Sequence, residues 1–192
     1  MEDQLLVAKT LLLCYPHLED LCLALSKCSE ESVESGFYAI FPNEQMRLYE
    51  RICAYEKRKV GAYNMKFLVE ECFRRGKGIS LSLLKEKFLL KRSMGELIRK
   101  YDISLRTAYR HIKKGLAAMA NTLKEMGFSK KRILCEYGNE PLFLTMLNRV
   151  IKEDDAETAG EGGEKELNHR HLPICLLGRE HAFSEDGRAR RV

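Results

Sequence analysis

The stretch SMGELIRKYDISLRTAYRHIKK, residues 93–114, decides how the rest of the chain is interpreted. It predicts two helices joined by a tight turn. Ser93 followed by Glu96 is a capping box, which starts the first helix. Asp102 lies where a left-handed residue is required, a conformation that Asp tolerates better than most residues other than glycine. Ser104 is well placed to N-cap the second helix.

The second helix separates an inward side from a basic outward side. Ala108, Ile112 and Met119 recur at helical spacing and should face inward. The opposite side carries Leu105, Arg106, Tyr109, Arg110 and Lys113. A short helix, a turn of three or four residues and a basic second helix are typical of a DNA-binding helix-turn-helix.

The run GELIRKYDISLRTAYRHIKKGLAAM resembles the C-terminal helix-turn-helix domain of sigma factors, known as region four. It is also similar to stand-alone relatives of that domain in bacterial and phage transcription regulators. The matching residues are Glu96, Leu97, Ile103, Ser104, Thr107, Ala108, Lys113, Lys114, Leu116 and Met119. The resemblance extends back to Leu81 and implies DNA binding and docking onto RNA polymerase. The stretch departs from the family at Ile98, where a small residue is usual, and in lacking a glycine at the turn.

Positive charge is concentrated around this motif. The chain has 192 residues and a net charge of +5, but residues 74–132 hold seventeen basic and only four acidic residues. Such a region suits a polyanion, because each neutralised phosphate releases counterions. A solvated lysine-rich surface is the alternative. The coincidence of charge and motif favours nucleic acid.

The composition indicates a cytoplasmic protein. Apolar residues make up 45% of the chain, enough for a core, and no apolar run has the length that spans a membrane. The N-terminus is acidic and lacks the positive region of a secretory signal. The seven cysteines form no CxxC pair and are interpreted as reduced thiols.

The predicted fold is an all-α helical bundle that contains the helix-turn-helix and ends in a flexible C-terminal tail. We expect an N-terminal helical region at 1–78, the DNA-binding domain at 79–127, a C-terminal helix within 128–152 and the tail at 153–192. Within these regions, helices are predicted at 4–14, 17–28, 43–75, 81–92 and 141–152. Residues 29–43 are predicted to form a loop, and Gly61 to kink or break the helix around it.

Leu116, Met119, Leu123 and Met126 form an apolar seam along the second motif helix. The seam either joins two copies of the chain in a homodimer or packs on the chain's own N-terminal helices. The second arrangement is favoured, because the seam lasts less than two heptads.

Neither an enzyme nor a cofactor is expected, because the sequence contains no glycine-rich phosphate loop, GxSxG or HExxH motif. His111 is expected to be a backbone-facing polar contact or a residue at the edge of the core rather than a ligand or catalyst. The metal-ligand types His169, His171, Cys175 and His181 match no zinc module in their spacing, so no metal is expected.

The main hypothesis is a sequence-specific, DNA-binding regulator of transcription whose second motif helix enters the major groove of double-stranded DNA. Arg106 and Arg110, one turn apart, are the candidates for bidentate contacts with guanine O6 and N7. Leu105 and Thr107 are candidates for a thymine methyl or a base hydrogen bond. Phosphate contacts are expected from Ser104, Tyr109, Lys113 and Lys114.

Two alternatives stay open at this point. One is a helical interaction module that binds RNA polymerase or another regulator protein with its basic face. The other is RNA binding, which no aromatic-rich stacking surface supports.

Overall fold

The computed structural model describes residues 3–36 and 41–159. These residues form helices and no strand, so the prediction of an all-α fold is confirmed. A single 3₁₀ turn, Tyr15–His17, follows the first helix. The α-helices are α1 (Asp3–Cys14), α2 (Leu18–Gly36), α3 (Pro42–Arg75), α4 (Ile79–Phe88), α5 (Met94–Tyr101), α6 (Leu105–Glu125), α7 (Lys130–Tyr137) and α8 (Pro141–Ala159).

Helix α1 lies at the centre of the fold. Most of its side chains are buried, including Val7, Leu11 and Leu12 at 0% exposure, and α6 and α8 pack against it. A helix that is apolar all round is stable only when other elements surround it. The hydroxyl of Thr10, a buried polar residue in this helix, donates to the Leu6 carbonyl at 2.8 Å. The Thr10 hydroxyl therefore keeps a hydrogen-bond partner although it is buried.

Polar contacts fasten α1 to the end of α6 and to α8. The Gln4 side chain donates to the Phe128 carbonyl and accepts from the Lys130 backbone N–H, both at 2.9 Å. Lys9 forms a 3.0 Å ion pair with Glu153 of α8. These contacts join segments more than a hundred residues apart in the sequence.

Helix α2 is longer than predicted. Residues 29–36, which we expected in a loop, continue the helix to Gly36. Ser29 and Ser32 are buried, and α2 packs along α3. At Gly36 an added Cβ would lie 2.1 Å from Leu48 Cδ2. These small residues allow a close helix–helix approach, whereas the sequence pattern had suggested a turn.

Helix α3 runs without interruption through Gly61, so the predicted break is wrong. It begins at Pro42 in the first turn rather than with a cap at Asn43. All of its buried residues lie between Ala62 and Cys72. Arg58 donates two 3.0 Å hydrogen bonds to Glu140, which fasten α3 to the α7–α8 loop.

The C-terminal part of the described chain contains two helices where one was predicted. Helix α7 was not expected, and α8 continues through residues 153–159. The predicted start of the flexible tail at Glu153 is therefore wrong, since Glu153 also bonds to Arg149 at 3.0 Å. The rest of the predicted tail, with His169, His171, Cys175 and His181, lies outside the described residues.

The apolar seam of α6 packs inside the molecule. Met119 and Leu123 are fully buried, and α6 contacts α1. The expected packing of this seam on the N-terminal helices is therefore confirmed. None of the helices within the described residues combines the length and apolar character needed to cross a membrane.

Helix α4 crosses α6 at Gly115. A Cβ added there would lie 2.5 Å from the Ser80 carbonyl oxygen and 3.2 Å from Leu84 Cβ. Backbone atoms cannot move aside as a flexible side chain can. The crossing therefore needs a residue without a side chain at this position, despite the cost of glycine inside a helix.

We predict that Gly115→Ala destabilises the protein by about 1–3 kcal/mol, because the new methyl group forces α4 away from α6. Chemical denaturation followed by circular dichroism measures this change. Gly61→Ala is the matched control, because nothing lies within 4 Å of its added Cβ. There, higher helix propensity should stabilise the fold by about 0.5–1 kcal/mol. Equal effects of the two substitutions would contradict a tight crossing at Gly115.

Candidate nucleic-acid interface

Helix α5 starts at the predicted capping box. The Ser93 hydroxyl accepts from the Glu96 backbone N–H at 3.3 Å, and the Glu96 carboxylate accepts from the Ser93 backbone N–H at 2.7 Å. The two residues thus satisfy each other's free backbone donors at the helix start. Leu97, in the first turn, is fully buried and anchors α5 to the core.

The turn between α5 and α6 has the predicted left-handed residue. Asp102 adopts φ 50° and ψ 51°, and the Ile103 backbone N–H donates to the Ile98 carbonyl at 3.3 Å. The Ser104 hydroxyl then accepts from the Thr107 backbone N–H at 3.2 Å and caps α6. Asp102 thus forms the turn in place of a glycine. Ile98, the other departure from the family pattern, is half-buried.

Helix α4 packs against both motif helices. Its Leu83 and Leu84 side chains are fully buried. Ser80 lies inside α4, because the helix begins at Ile79, two residues before its predicted start. Its hydroxyl is hydrogen-bonded to Nδ1 of His111 at 2.9 Å. His111 is therefore a half-buried contact between α4 and α6, at the expected edge of the core.

Glu86 of α4 links the motif's first helix to its neighbours. The Tyr101 hydroxyl donates to it at 2.9 Å, Arg92 forms a 3.1 Å ion pair with it, and Lys100 also bonds to it. The Glu86 side chain is only 12% exposed. The hydrogen bond from Lys100 is the largest cause that lowers the pKa of Glu86 below its usual value.

The outward face of α6 carries the predicted cations. Arg106, Tyr109, Arg110 and Lys113 are exposed. Tyr109 and Arg110 lie three and four residues after Arg106, and Lys113 lies four and three residues after them, which places all four on one side of the helix. Ala108, Gly115 and Met119 are buried on the other side. This division matches the predicted inward and outward sides of α6.

The remaining predicted residues flank this face. Successive residues turn by about 100° around a helix. Thr107 and Lys114 therefore lie on one flank of the arginines, and Leu105, 41% exposed, lies on the other. The structure brings all eight predicted residues to the first three turns of α6 and its cap, but only four of them share the central face.

The cations of this face have no carboxylate partner within the described part of the chain. None of Arg106, Arg110, Lys113 and Lys114 forms an ion pair there, whereas Arg92, Lys100 and Arg132 do. The only acidic residue in α6 is Glu125, at its last position. The positive field at the start of α6 is thus not neutralised locally.

The hydroxyls of Ser104 and Thr107 are already in use. Their oxygens lie 2.9 Å apart, and Ser104 also caps the helix. A contact from either residue to an external group would have to be shared with these bonds. The arginines and lysines are the freer donors.

The residues that hold α6 in place were not foreseen as part of the site. Gly115 and the Ser80–His111 hydrogen bond fix the position of α6 on α4. A glycine inside a strongly helical stretch was the available signal, because such a glycine often marks a close backbone approach. The partner of His111 could not be identified from the sequence.

No family model, curated protein or solved structure matches this chain. The described residues contain no group of three His, Cys, Asp or Glu side chains that is arranged to hold a metal ion.

We predict that Glu86→Gln destabilises the protein at pH 7 by on the order of 1 kcal/mol, because it weakens the bonds to exposed Lys100 and Arg92. Since the pKa of Glu86 is lowered in the folded state, its contribution is present at neutral pH and lost as the pH falls below the usual carboxyl range. Urea titrations of both proteins from pH 7 to pH 3 should therefore converge in acid. Glu30→Gln, at an exposed position without an ion pair in the described residues, should show no such pH-dependent difference.

Proposed function

We propose that this protein is a sequence-specific, DNA-binding regulator of transcription that places α6 in the major groove. The observation that carries the proposal is the unneutralised cationic face of Arg106, Arg110 and Lys113, presented by a helix whose other side is buried. A single α-helix fits the major groove, about 12 Å wide. Arg106 and Arg110 would contact base edges, and Tyr109, Lys113 and Lys114 would contact phosphates.

The spacing of the two arginines fits this role. Four residues advance an α-helix by about 6 Å, close to the separation of base pairs two steps apart at about 3.4 Å per step. Both side chains leave the same face of α6. They would therefore meet base edges near each other in one groove, where Arg pairs with guanine O6 and N7.

The resemblance to sigma region four supports transcription as the process served. In that family the second helix of the motif contacts promoter DNA, and the same domain docks onto RNA polymerase. Duplex DNA is favoured over single-stranded RNA, because Tyr109 is the one exposed aromatic residue on the central face of α6, and RNA recognition usually uses several stacking rings.

We predict that Arg110→Ala weakens binding to the preferred DNA site by about 1–3 kcal/mol and relaxes the preference at one base position. The preferred site is first selected from a random pool of duplexes, and affinity is then measured by fluorescence anisotropy. Arg47→Ala is the control, because it removes the same charge from an exposed position in the first turns of α3. Equal losses on the preferred site and on random DNA would make Arg110 a phosphate contact instead.

A second prediction concerns ionic strength. If about five basic residues of the motif neutralise phosphates, the logarithm of the association constant should fall with the logarithm of salt concentration at a slope near −4 to −5. Lys113→Ala should make this slope less negative by about one. An affinity that is independent of salt would contradict DNA binding through this face.

A further inference from the structure

Helix α3 has a line of apolar side chains that remain mostly exposed in the described chain. Met46, Tyr49, Val60, Tyr63 and Phe67 are 56–65% exposed, and Cys53 is exposed as well. These six residues are called the α3 stripe. Large exposed apolar side chains that share one surface commonly mark an interaction site.

The spacing of the stripe is that of a coiled coil. From Met46 the stripe residues follow one another at intervals of three, four, seven, three and four residues. Glu56 divides the interval of seven into three and four, so a polar residue occupies that one position of the repeat. This is a heptad pattern with apolar a and d positions over three heptads, about 32 Å of helix. The Glu56 carboxylate turns away to an ion pair with Lys59 at 2.8 Å. A second helix with the same repeat is the occupant that such a pattern accepts.

The surroundings of α3 leave this line accessible. One side of α3 contacts α2, as shown by Leu48 against Gly36 and by the Lys66–Glu19 ion pair. A second side, with Met65, Val69 and Cys72, is buried in the core. Successive residues turn by about 100° around a helix axis. Around the axis of α3, the stripe therefore lies roughly 100° from the side that contacts α2 and nearly opposite the side that is buried in the core. A partner helix can therefore reach the stripe from solvent, with Tyr63 at the edge next to α2, where its side chain is hydrogen-bonded to Cys22.

We propose that the α3 stripe joins two copies of this chain in an antiparallel coiled coil. In the register centred between Ala54 and Tyr55, Met46 lies opposite the partner's Tyr63, and Tyr49 lies opposite the partner's Val60. Phe67 then lies over the partner's Pro42. Each apolar residue of the stripe except Cys53 meets an apolar residue, and Cys53 meets the methylene groups of the partner's Glu56.

The charges beside the stripe support this register. Glu50 and Lys57 follow the stripe on the flank away from α2, and neither forms an ion pair within the described residues. In the antiparallel register, Glu50 of each copy lies beside the partner's Lys57, which gives two complementary pairs. A shift of one heptad would place Lys57 against the partner's Lys57.

A parallel pair fits the same surface less well. It would place Glu56 directly opposite the partner's Glu56 in the apolar line. In a parallel pair the partner helix would also have to contact the flank of α3 that carries Lys59 and Lys66. Helix α2 already covers that flank, where Glu19 forms an ion pair with Lys66. The antiparallel pair instead puts both copies of α2 on one side, as in a four-helix bundle.

Sedimentation equilibrium of the full chain between about 1 and 100 μM, without DNA, tests the proposal. The wild-type chain should show a monomer–dimer equilibrium, and Val60→Lys should be monomeric with an unchanged helical spectrum. Arg51→Glu, on the side of α3 away from the stripe, is the control and should dimerise as the wild type does. A monomeric wild-type chain, or a Val60→Lys variant that still dimerises, would overturn the proposal.

A charge exchange tests the register itself. Glu50→Lys and Lys57→Glu should each weaken dimerisation on the order of tenfold, because each places like charges side by side. The double variant restores both pairs and should regain the wild-type dissociation constant. A double variant that dimerises no better than the single variants would rule this register out. Because DNA is absent, failure here leaves the proposed function untouched, and the reverse also holds.

Discussion

The burial of α1 is the constraint on which the rest of the fold depends. Val7, Leu11, Leu12 and their neighbours leave this helix with no polar side to turn towards water, so other helices have to surround it. Helix α6 and helix α8 do so from later parts of the sequence. The hydrogen bonds of Gln4 to Phe128 and Lys130 then fasten the connection between α6 and α7 to α1. The α5–α6 pair is consequently part of the molecule's core structure, since α6 supplies Met119 and Leu123 to the packing around α1.

Helix α3 shows how one continuous helix meets two environments. Its buried residues all lie between Ala62 and Cys72, on one side of the helix. The α3 stripe runs from Met46 to Phe67 on the exposed side and so overlaps that segment at Tyr63 and Phe67. The contact with α2 uses Ser29, Ser32 and Gly36, whose small side chains permit a close approach. Burying these residues yields little hydrophobic free energy compared with leucine. The apolar burial of α2 comes instead from its first half, where Leu18, Leu21, Cys22 and Leu25 are buried. An apolar partner on the stripe would add burial along the N-terminal part of α3.

The α5–α6 motif could be predicted from sequence because its caps and turn depend on neighbouring residues. Other parts of the fold depend on tertiary packing and were predicted less well. The caps at Ser93 and Ser104 and the left-handed Asp102 depend on neighbouring residues only, and the structure has all three. Residues 29–36 were mistaken for a loop because Ser and Gly also favour turns, and only the facing Leu48 reveals their role. The extension of α8 escaped prediction for a similar reason, because Lys9 and Glu153 lie far apart in the sequence. Helix α7 did have a local signal, since the Ser129 hydroxyl accepts from the Arg132 backbone N–H and caps it. For the candidate site, the cationic residues could be identified from the sequence. Which of them lack an ion pair could not, because that depends on where the fold places Glu86 and the other acidic residues.

The C-terminal half of α6 packs on the other helices, whereas its N-terminal half exposes the cationic side chains. From Gly115 onwards the helix is fixed by α4 and α1, while Arg106, Arg110 and Lys113 project from the first three turns into solvent. The His111–Ser80 hydrogen bond lies at the boundary between these halves. Because an α-helix is continuous, the rigid half sets the direction of the exposed half, and the turn at Asp102 fixes α5 beside it. Binding a ligand with this face then orders side chains rather than backbone, which keeps the entropic cost of recognition to roughly 0.5–1.5 kcal/mol per immobilised side chain. A cationic helix held in this way is suited to a rigid, repeating polyanion such as duplex DNA.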